Sequence, residues 1–338
     1  MKFTVLLLFS IIIGSYLSLS KTSIDLKAIK KDPLDFITFQ REGGRRVLQQ
    51  TNISLNDFLN LQYFGNITVG SNKQNFTVMF DTGSSDFWLP GPEINWTKHQ
   101  YHCEQSESCN QTTVNKTIKY GIGSVSGTFV QDIAWIGDLK SPNQPILVVN
   151  SSINQEGRNQ FDGIIGMGNT LFNTLWGNNS LLTQLYTAGQ IPSRSFSMHL
   201  QRNPSKEIEI AGSLMIGGYE EKYLRNGKDF QYFPVVDMRH WSIPLHAANF
   251  GELNITIENV TNLTAYPYFN GSFSPNRILI DSGTSGFLLP SKVYNQIYAY
   301  LNEKIGCELE DTAILCFCED IEEVMPSFNF TSMNYIFS

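Results

Sequence analysis

Beyond its first twenty residues the chain has no apolar run long enough to cross a bilayer. It also lacks any cluster of Lys and Arg of the kind that tracks a nucleic-acid backbone, and its formal charge of −7 points away from such a partner. Charged residues make up only 16% of the chain against 41% hydrophobic, which excludes a disordered chain and leaves a globular one. The histidines (His99, His102, His199, His240 and His246) never fall in the His-Glu-X-X-His spacing that holds a catalytic zinc. A Gly-X-Ser-X-Gly elbow is missing, and so is the phosphate-cradling Gly-X4-Gly-Lys-[Ser/Thr]. The sequence signatures of zinc hydrolysis, elbow-serine hydrolysis and nucleotide chemistry are therefore absent. No metal and no cofactor is expected.

What is present is a long chain rich in strand-forming residues. Its 338 residues can bury a large core and suggest two domains rather than one. Gly 26, Phe 23 and Tyr 14, in short β-branched or aromatic runs broken by Gly, Asn and Pro, predict a mostly β structure. Met1–Ser20 carries one Lys, an apolar stretch and a small-residue end, the pattern of a secretory signal peptide. Residues 21–50 hold seven Lys and Arg against four Asp and Glu, +3, whereas residues 51–338 hold sixteen against twenty-seven, −11. A basic segment ahead of an acidic body reads as a propeptide, paired with that body at neutral pH and released as its carboxylates protonate. Thirteen Asn-X-Ser/Thr sequons lie behind the signal segment, at Asn52, Asn66, Asn75, Asn95, Asn110, Asn115, Asn150, Asn178, Asn254, Asn259, Asn262, Asn270 and Asn329. Some of them are expected to carry glycans.

One stretch occurs twice. Val78-Met79-Phe80-Asp81-Thr82-Gly83-Ser84-Ser85-Asp86-Phe87-Trp88-Leu89-Pro90 returns, 200 residues on, as Ile278-Leu279-Ile280-Asp281-Ser282-Gly283-Thr284-Ser285-Gly286-Phe287-Leu288-Leu289-Pro290. Each copy is an apolar strand, a polar turn with a carboxylate at its tip, and a second apolar run. Asp-Thr-Gly alone is an ordinary turn, since Asp bonds back to nearby amides and Gly accepts unusual φ. Two copies with matching flanks predict two similar halves that face each other across a pseudo-twofold axis.

From about residue 60 onward the chain resembles the pepsin-like aspartic proteases. The resemblance rests on both turns and on a series of landmarks in the family's order. These are Tyr63-Phe64-Gly65, Tyr120-Gly121-Ile122-Gly123-Ser124, Phe161-Asp162-Gly163-Ile164-Ile165-Gly166, Phe196-Ser197, Gly217-Gly218 and Trp241-Ser242-Ile243. It implies an all-β, bilobal fold, two barrel-like lobes with a few short helices. The lobes are expected at 51–220 and 221–338. Apolar residues at helical spacing place two helices near Ser180–Gly189 and Ser291–Ile305.

The resemblance assigns Asp81 and Asp281 as the catalytic pair, one activating a water and the other polarising the substrate carbonyl. Gly83 and Gly283 would donate backbone amides to the inner carboxylate oxygens, and Ser84 and Thr284 hydroxyls to the outer ones. Thr82 and Ser282 would make a buried bond between lobes. Tyr120, Gly121 and Gly123 would form the flap that closes over an extended polypeptide substrate, with Trp88 behind it. Cys103 and Cys109 would close the family's small loop. Cys307 would pair with Cys318 or Cys316, and the sequence leaves both open. The expected product is a monomeric secreted or lysosomal (or digestive-vacuole) endopeptidase, held inactive by its own propeptide and bound to neither nucleic acid nor membrane. One irregularity stands against it. Internal symmetry asks for a counterpart of Phe161–Gly166 near position 361, past Ser338, so the second lobe is expected to be incomplete. A secreted glycoprotein that binds peptides in the cleft without turnover is the alternative.

Overall fold

A computed structural model describes residues 50–58, 62–120, 123–153, 160–168, 180–200, 209–224, 230–236, 240–255, 277–284, 289–310, 313–316, 325–332 and 335–337. The expected signal peptide, the basic segment up to residue 49, Gly121 of the expected flap, and Cys318 lie outside them. So do the sequons at Asn178, Asn259, Asn262 and Asn270. Among the described residues no helix is long and apolar enough to span a membrane.

The first half is built on one ten-stranded sheet. Its strands are β1 (Thr51–Phe58), β2 (Gln62–Val69), β3 (Gln74–Asp81), β4 (Phe87–Pro90), β5 (Asn110–Tyr120), β6 (Gly123–Ile136), β7 (Leu139–Ile153), β8 (Gly163–Gly166), β9 (Phe196–Leu200) and β10 (Glu209–Ile216). They run in the order β5-β6-β7-β4-β8-β3-β2-β1-β10-β9, and β2 also pairs with β6. β1, β5 and β6 alternate over much of their length, because one face is more buried than the other. β3 and β8 do not alternate. Val78, Met79 and Phe80 are all buried, as are Ile164 and Ile165, and the two strands pair in parallel from Val78 on Gly163 to Asp81 on Gly166. Core on both faces explains the unbroken apolar run, and it leaves Asp81 at the end of a strand that cannot shift. Each large side chain buried there contributes roughly 1.5–3 kcal/mol.

The second half holds β11 (Ser242–Pro244) on β14 (Arg277–Leu279), and a four-stranded sheet of β12 (Ala247–Phe250), β13 (Leu253–Ile255), β17 (Phe328–Ser332) and β18 (Tyr335–Phe337). A hairpin of β15 (Glu308–Glu310) and β16 (Ala313–Leu315) completes it. The helices fall where the periodicity places them. α1 (Leu181–Thr187) begins at Ser180, whose hydroxyl accepts the Thr183 N–H at 3.3 Å. α2 (Ser291–Ile305) follows Pro290 and packs Ile297 and Leu301 against Phe250 and Phe328. Trp241 ties the halves together. Its indole N–H donates to Met167 O at 2.7 Å, and its own carbonyl accepts the Ile280 N–H at 3.0 Å.

Cys103 and Cys109 form a disulfide with Cα atoms 5.5 Å apart. The late bond corrects one of the two pairings entertained above: Cys307 closes on Cys316, not on Cys318. The reason is register. Glu308 faces Leu315 in the β15–β16 hairpin, so Cys307 and Cys316 occupy the next rung, with Cα atoms 4.3 Å apart.

Behind the first disulfide loop sits a buried carboxylate. Asp132, 1% exposed, accepts the Tyr101 hydroxyl at 2.5 Å, the Ser108 hydroxyl and its neighbour Ile133 N–H at 2.7 Å. Burial and the Asp132 carboxylate both push the Tyr101 phenol upward in pKa. Asp132→Ala strands that fully buried hydroxyl, and a loss of about 2–4 kcal/mol is expected, read as a lower urea midpoint at unchanged slope.

Candidate active site

The two repeated turns meet. Thr82 N–H donates to Ser282 Oγ at 3.0 Å, and Ser282 N–H donates to Thr82 Oγ1 at 2.9 Å. Each hydroxyl then donates across the interface, Thr82 to Ile280 O at 2.8 Å and Ser282 to Phe80 O at 2.7 Å. The four bonds form a closed two-fold ring in which each hydroxyl donates once and accepts once. Serine in place of threonine in the second copy therefore costs no hydrogen bond.

The ring presents the two carboxylates to each other. Asp81 Oδ1 accepts the Gly83 N–H at 2.8 Å, and Oδ2 accepts the Ser84 hydroxyl. Asp281 repeats the pattern, with Gly283 N–H on Oδ1 at 2.8 Å and the Thr284 hydroxyl on Oδ2 at 2.6 Å. A Cβ added to Gly83 would fall 2.4 Å from Asp281 Cγ, and one added to Gly283 would fall 2.4 Å from Asp81 Oδ1. Each glycine thus holds its own aspartate through the amide and admits the opposite aspartate against its Cα. Space, not a positive φ, is what demands glycine here.

Asp81 is 5% exposed. Burial and the Asp281 charge push it up to about 7 from an ordinary 3.8. A hydrogen bond to Asp281 adds to the rise, while the Ser84 hydroxyl and the Gly83 amide pull the other way. Two carboxylates this close cannot both ionise cheaply, which is why the Asp281 charge helps keep Asp81 protonated.

The end of β5 lies beside this pair, near enough for the Asp81 charge to act on Tyr120. Tyr120 ends β5, half-buried, and its oxygen accepts the Trp88 indole N–H at 2.7 Å. Burial and the Asp81 charge raise the Tyr120 phenol above its usual range, keeping it a neutral hydroxyl. Gly123 faces Tyr120 across the hairpin. Sequence reasoning missed a second tie. Lys116, on the same face of β5 as Tyr120, grips Asp86 with its ammonium 2.7 Å from each carboxylate oxygen. The available signal was an asymmetry in the repeat, Asp86 where the second copy has Gly286. Among the described residues no group of three His, Cys, Asp or Glu could hold a metal.

Residues 62–337 match the family model described as eukaryotic aspartyl protease. Cathepsin D of Clupea harengus is 32% identical over 208 residues, covering 59% of this chain and 50% of that protein. An aspartic proteinase of Oryza sativa subsp. japonica is 29% identical over 303 residues, 85% of this chain and 55% of its own. Plasmepsin I of Plasmodium falciparum is 27% identical across 74% of this chain and 51% of its own. The chain thus spans about half the length of the curated relatives it matches. The crystal structure of an aspartic proteinase from Irpex lacteus superposes with a TM-score of 0.65 at 20% identity, covering 86% of this chain and 78% of that one.

Proposed function

We propose that this chain, which belongs to the eukaryotic aspartyl protease family, is an endopeptidase that cleaves polypeptides at acid pH with Asp81 and Asp281 as its general acid–base pair. The observation that carries this reading is the reciprocal packing of the two aspartates over Gly83 and Gly283. One shared proton between two carboxylates is established behaviour of aspartic proteases as a class, not a property deduced for this chain. The ionised member takes a proton from a bound water as that water attacks the peptide carbonyl, and the protonated member donates to the carbonyl oxygen. The tetrahedral intermediate then collapses as the leaving nitrogen is protonated. Tyr120 closes over the substrate, and the Trp88 bond and the Lys116–Asp86 pair orient the strand that carries it. The signal-like and basic N-terminal segments support export as a self-inhibited precursor, to a secreted or lysosomal destination.

The pH dependence has a defined sign. Asp81 has its pKa raised on folding, so the folded state binds more protons than the unfolded chain between 3.8 and about 7. Its contribution to stability is present at acid pH and is lost as pH rises through that window. Activity needs the shared proton, so kcat/KM is expected to fall above an apparent pKa near 7. Both limbs are measurable, by thermal melts and by hydrolysis of a denatured protein between pH 3 and 8, with inhibition by a statine-type analogue. A melting temperature that rises from pH 4 to pH 7, with activity undiminished at pH 8, would sink the reading.

One observation favours the non-catalytic alternative. β3 is enclosed, whereas β14, among the described residues, pairs only with β11 and leaves Leu279 43% exposed. A less braced Asp281 would bind peptides without turning them over. Tight analogue binding without hydrolysis would mark that outcome.

A further inference from the structure

The outer face of the flap hairpin carries a polar trough of about 350 Å³, lined by Asn115, Lys116, Thr117, Ser126, Gly127 and Asn150. Two sequons stand on its walls, Asn115-Lys116-Thr117 on β5 and Asn150-Ser151-Ser152 on β7. The sheet is shaped to make it. Ser126 faces Ser151 but Gly127 faces Val149, so Asn150 is the extra residue of a β-bulge and is turned outward. A Cβ on Gly127 would fall 2.0 Å from Val148 O, so the strands close there only over glycine, which forms the trough's floor.

The chemistry of the walls suits a sugar rather than an ion. The Lys116 ammonium is already taken by Asp86, which leaves hydroxyls and amides. The exposed side chain of Asn150 makes no hydrogen bond among the described residues. Asn115 accepts the Thr128 hydroxyl on Oδ1 at 2.6 Å, and its amide nitrogen makes no side-chain hydrogen bond among the described residues. Asn52 differs, because its amide nitrogen donates to Glu220.

We propose that Asn150 carries an N-linked glycan whose inner sugars lie in this trough and splint the flap hairpin, β5 and β6, to β7. The proposal depends on export of the chain and not on catalysis. In the modification, Asn150 Nδ2 forms a bond to the anomeric carbon of a lipid-diphosphate-linked oligosaccharide. The bond to the diphosphate breaks, the lipid diphosphate leaves, and Nδ2 gives up one proton. A bulky polar group anchored on a bulge and resting across three strands restricts local opening of the hairpin.

The test uses the full chain exported from a eukaryotic secretory host. Peptide-N-glycosidase treatment in heavy-oxygen water, followed by peptide mass spectrometry, is expected to convert Asn150 to heavy-oxygen aspartate and to leave Asn52 unchanged. Trimming the glycan from the folded protein is expected to speed amide exchange in β5 and β6 by about threefold or more, without changing exchange in β9 and β10. Asn150→Gln should reproduce that faster exchange, and trimming should then add nothing. Asn150 unmodified in an exported chain, with or without glycans elsewhere, overturns the proposal. Unchanged exchange after trimming overturns it too. Neither readout requires hydrolysis, so a failure here leaves the protease assignment standing.

Discussion

Asp81→Asn is expected to lower kcat by at least about a thousandfold while leaving the protein folded. Asparagine keeps the shape of aspartate. Its carbonyl oxygen can still accept the Gly83 N–H, and the Ser84 hydroxyl can rotate to accept from the new amide. What disappears is the capacity to carry or share a proton with Asp281. Stability should move in the opposite direction. The charge whose burial holds Asp81 near 7 is gone, so the variant should melt at or above the wild-type temperature at neutral pH and show a flatter stability–pH curve. Active-site titration, hydrolysis rates and melts on one sample separate lost chemistry from lost folding. A loss of less than tenfold in kcat would mean that Asp81 is not half of a catalytic pair.

The paired turns were legible because a repeat at 200 residues carries its own geometry: two copies of one strand-turn-strand unit generate a pseudo-twofold axis wherever their apolar runs pack. β3 and β8 were legible for a related reason, since strands covered on both faces lose alternation and show as unbroken apolar runs. Other features depend on register, which composition does not encode. Choosing Cys316 over Cys318 depends on which residue of β16 faces Glu308, a matter of hairpin geometry between three close cysteines. Asp132 lies within the mostly apolar run Phe129–Ile136, which does not say which hydroxyls would meet it. Its partners, the Tyr101 and Ser108 hydroxyls, come from 31 and 24 residues away and are brought to it only by the fold. The Lys116–Asp86 pair spans 30 residues, and only the fold of β5 over the first turn brings its ends together. Thr82 and Ser282, by contrast, were placed through likeness to a family, and their four-bond ring shows why a hydroxyl is needed at both positions.

Gly83→Ala tests that ring and the carboxylate pair together. The new methyl would lie 2.4 Å from Asp281 Cγ and 2.5 Å from both of its carboxylate oxygens, closer than any stable contact. Asp281 cannot simply rotate away, because the Gly283 amide and the Thr284 hydroxyl hold its two oxygens at 2.8 Å and 2.6 Å. The second turn must retreat as a body, and that stretches the reciprocal Thr82–Ser282 bonds. Overpacking and the loosened bonds together should cost about 2–4 kcal/mol of stability. A displacement of about 1 Å between the carboxylates should cost about a hundredfold or more in kcat. Gly283→Ala should behave alike, since its methyl would meet Asp81 Oδ1 at 2.4 Å. Gly65→Ala is the milder comparison, because its nearest contacts would be Ile53 Cγ2 at 3.1 Å and Phe80 Cε2 and Ser54 O at 3.2 Å, against 2.4 Å at the turn glycines. The expected order is a large loss of kcat for both turn variants and a small one for Gly65→Ala, at matched folded fractions measured by circular dichroism. Equal activity across the three would show that the carboxylates do not work at the separation these glycines impose.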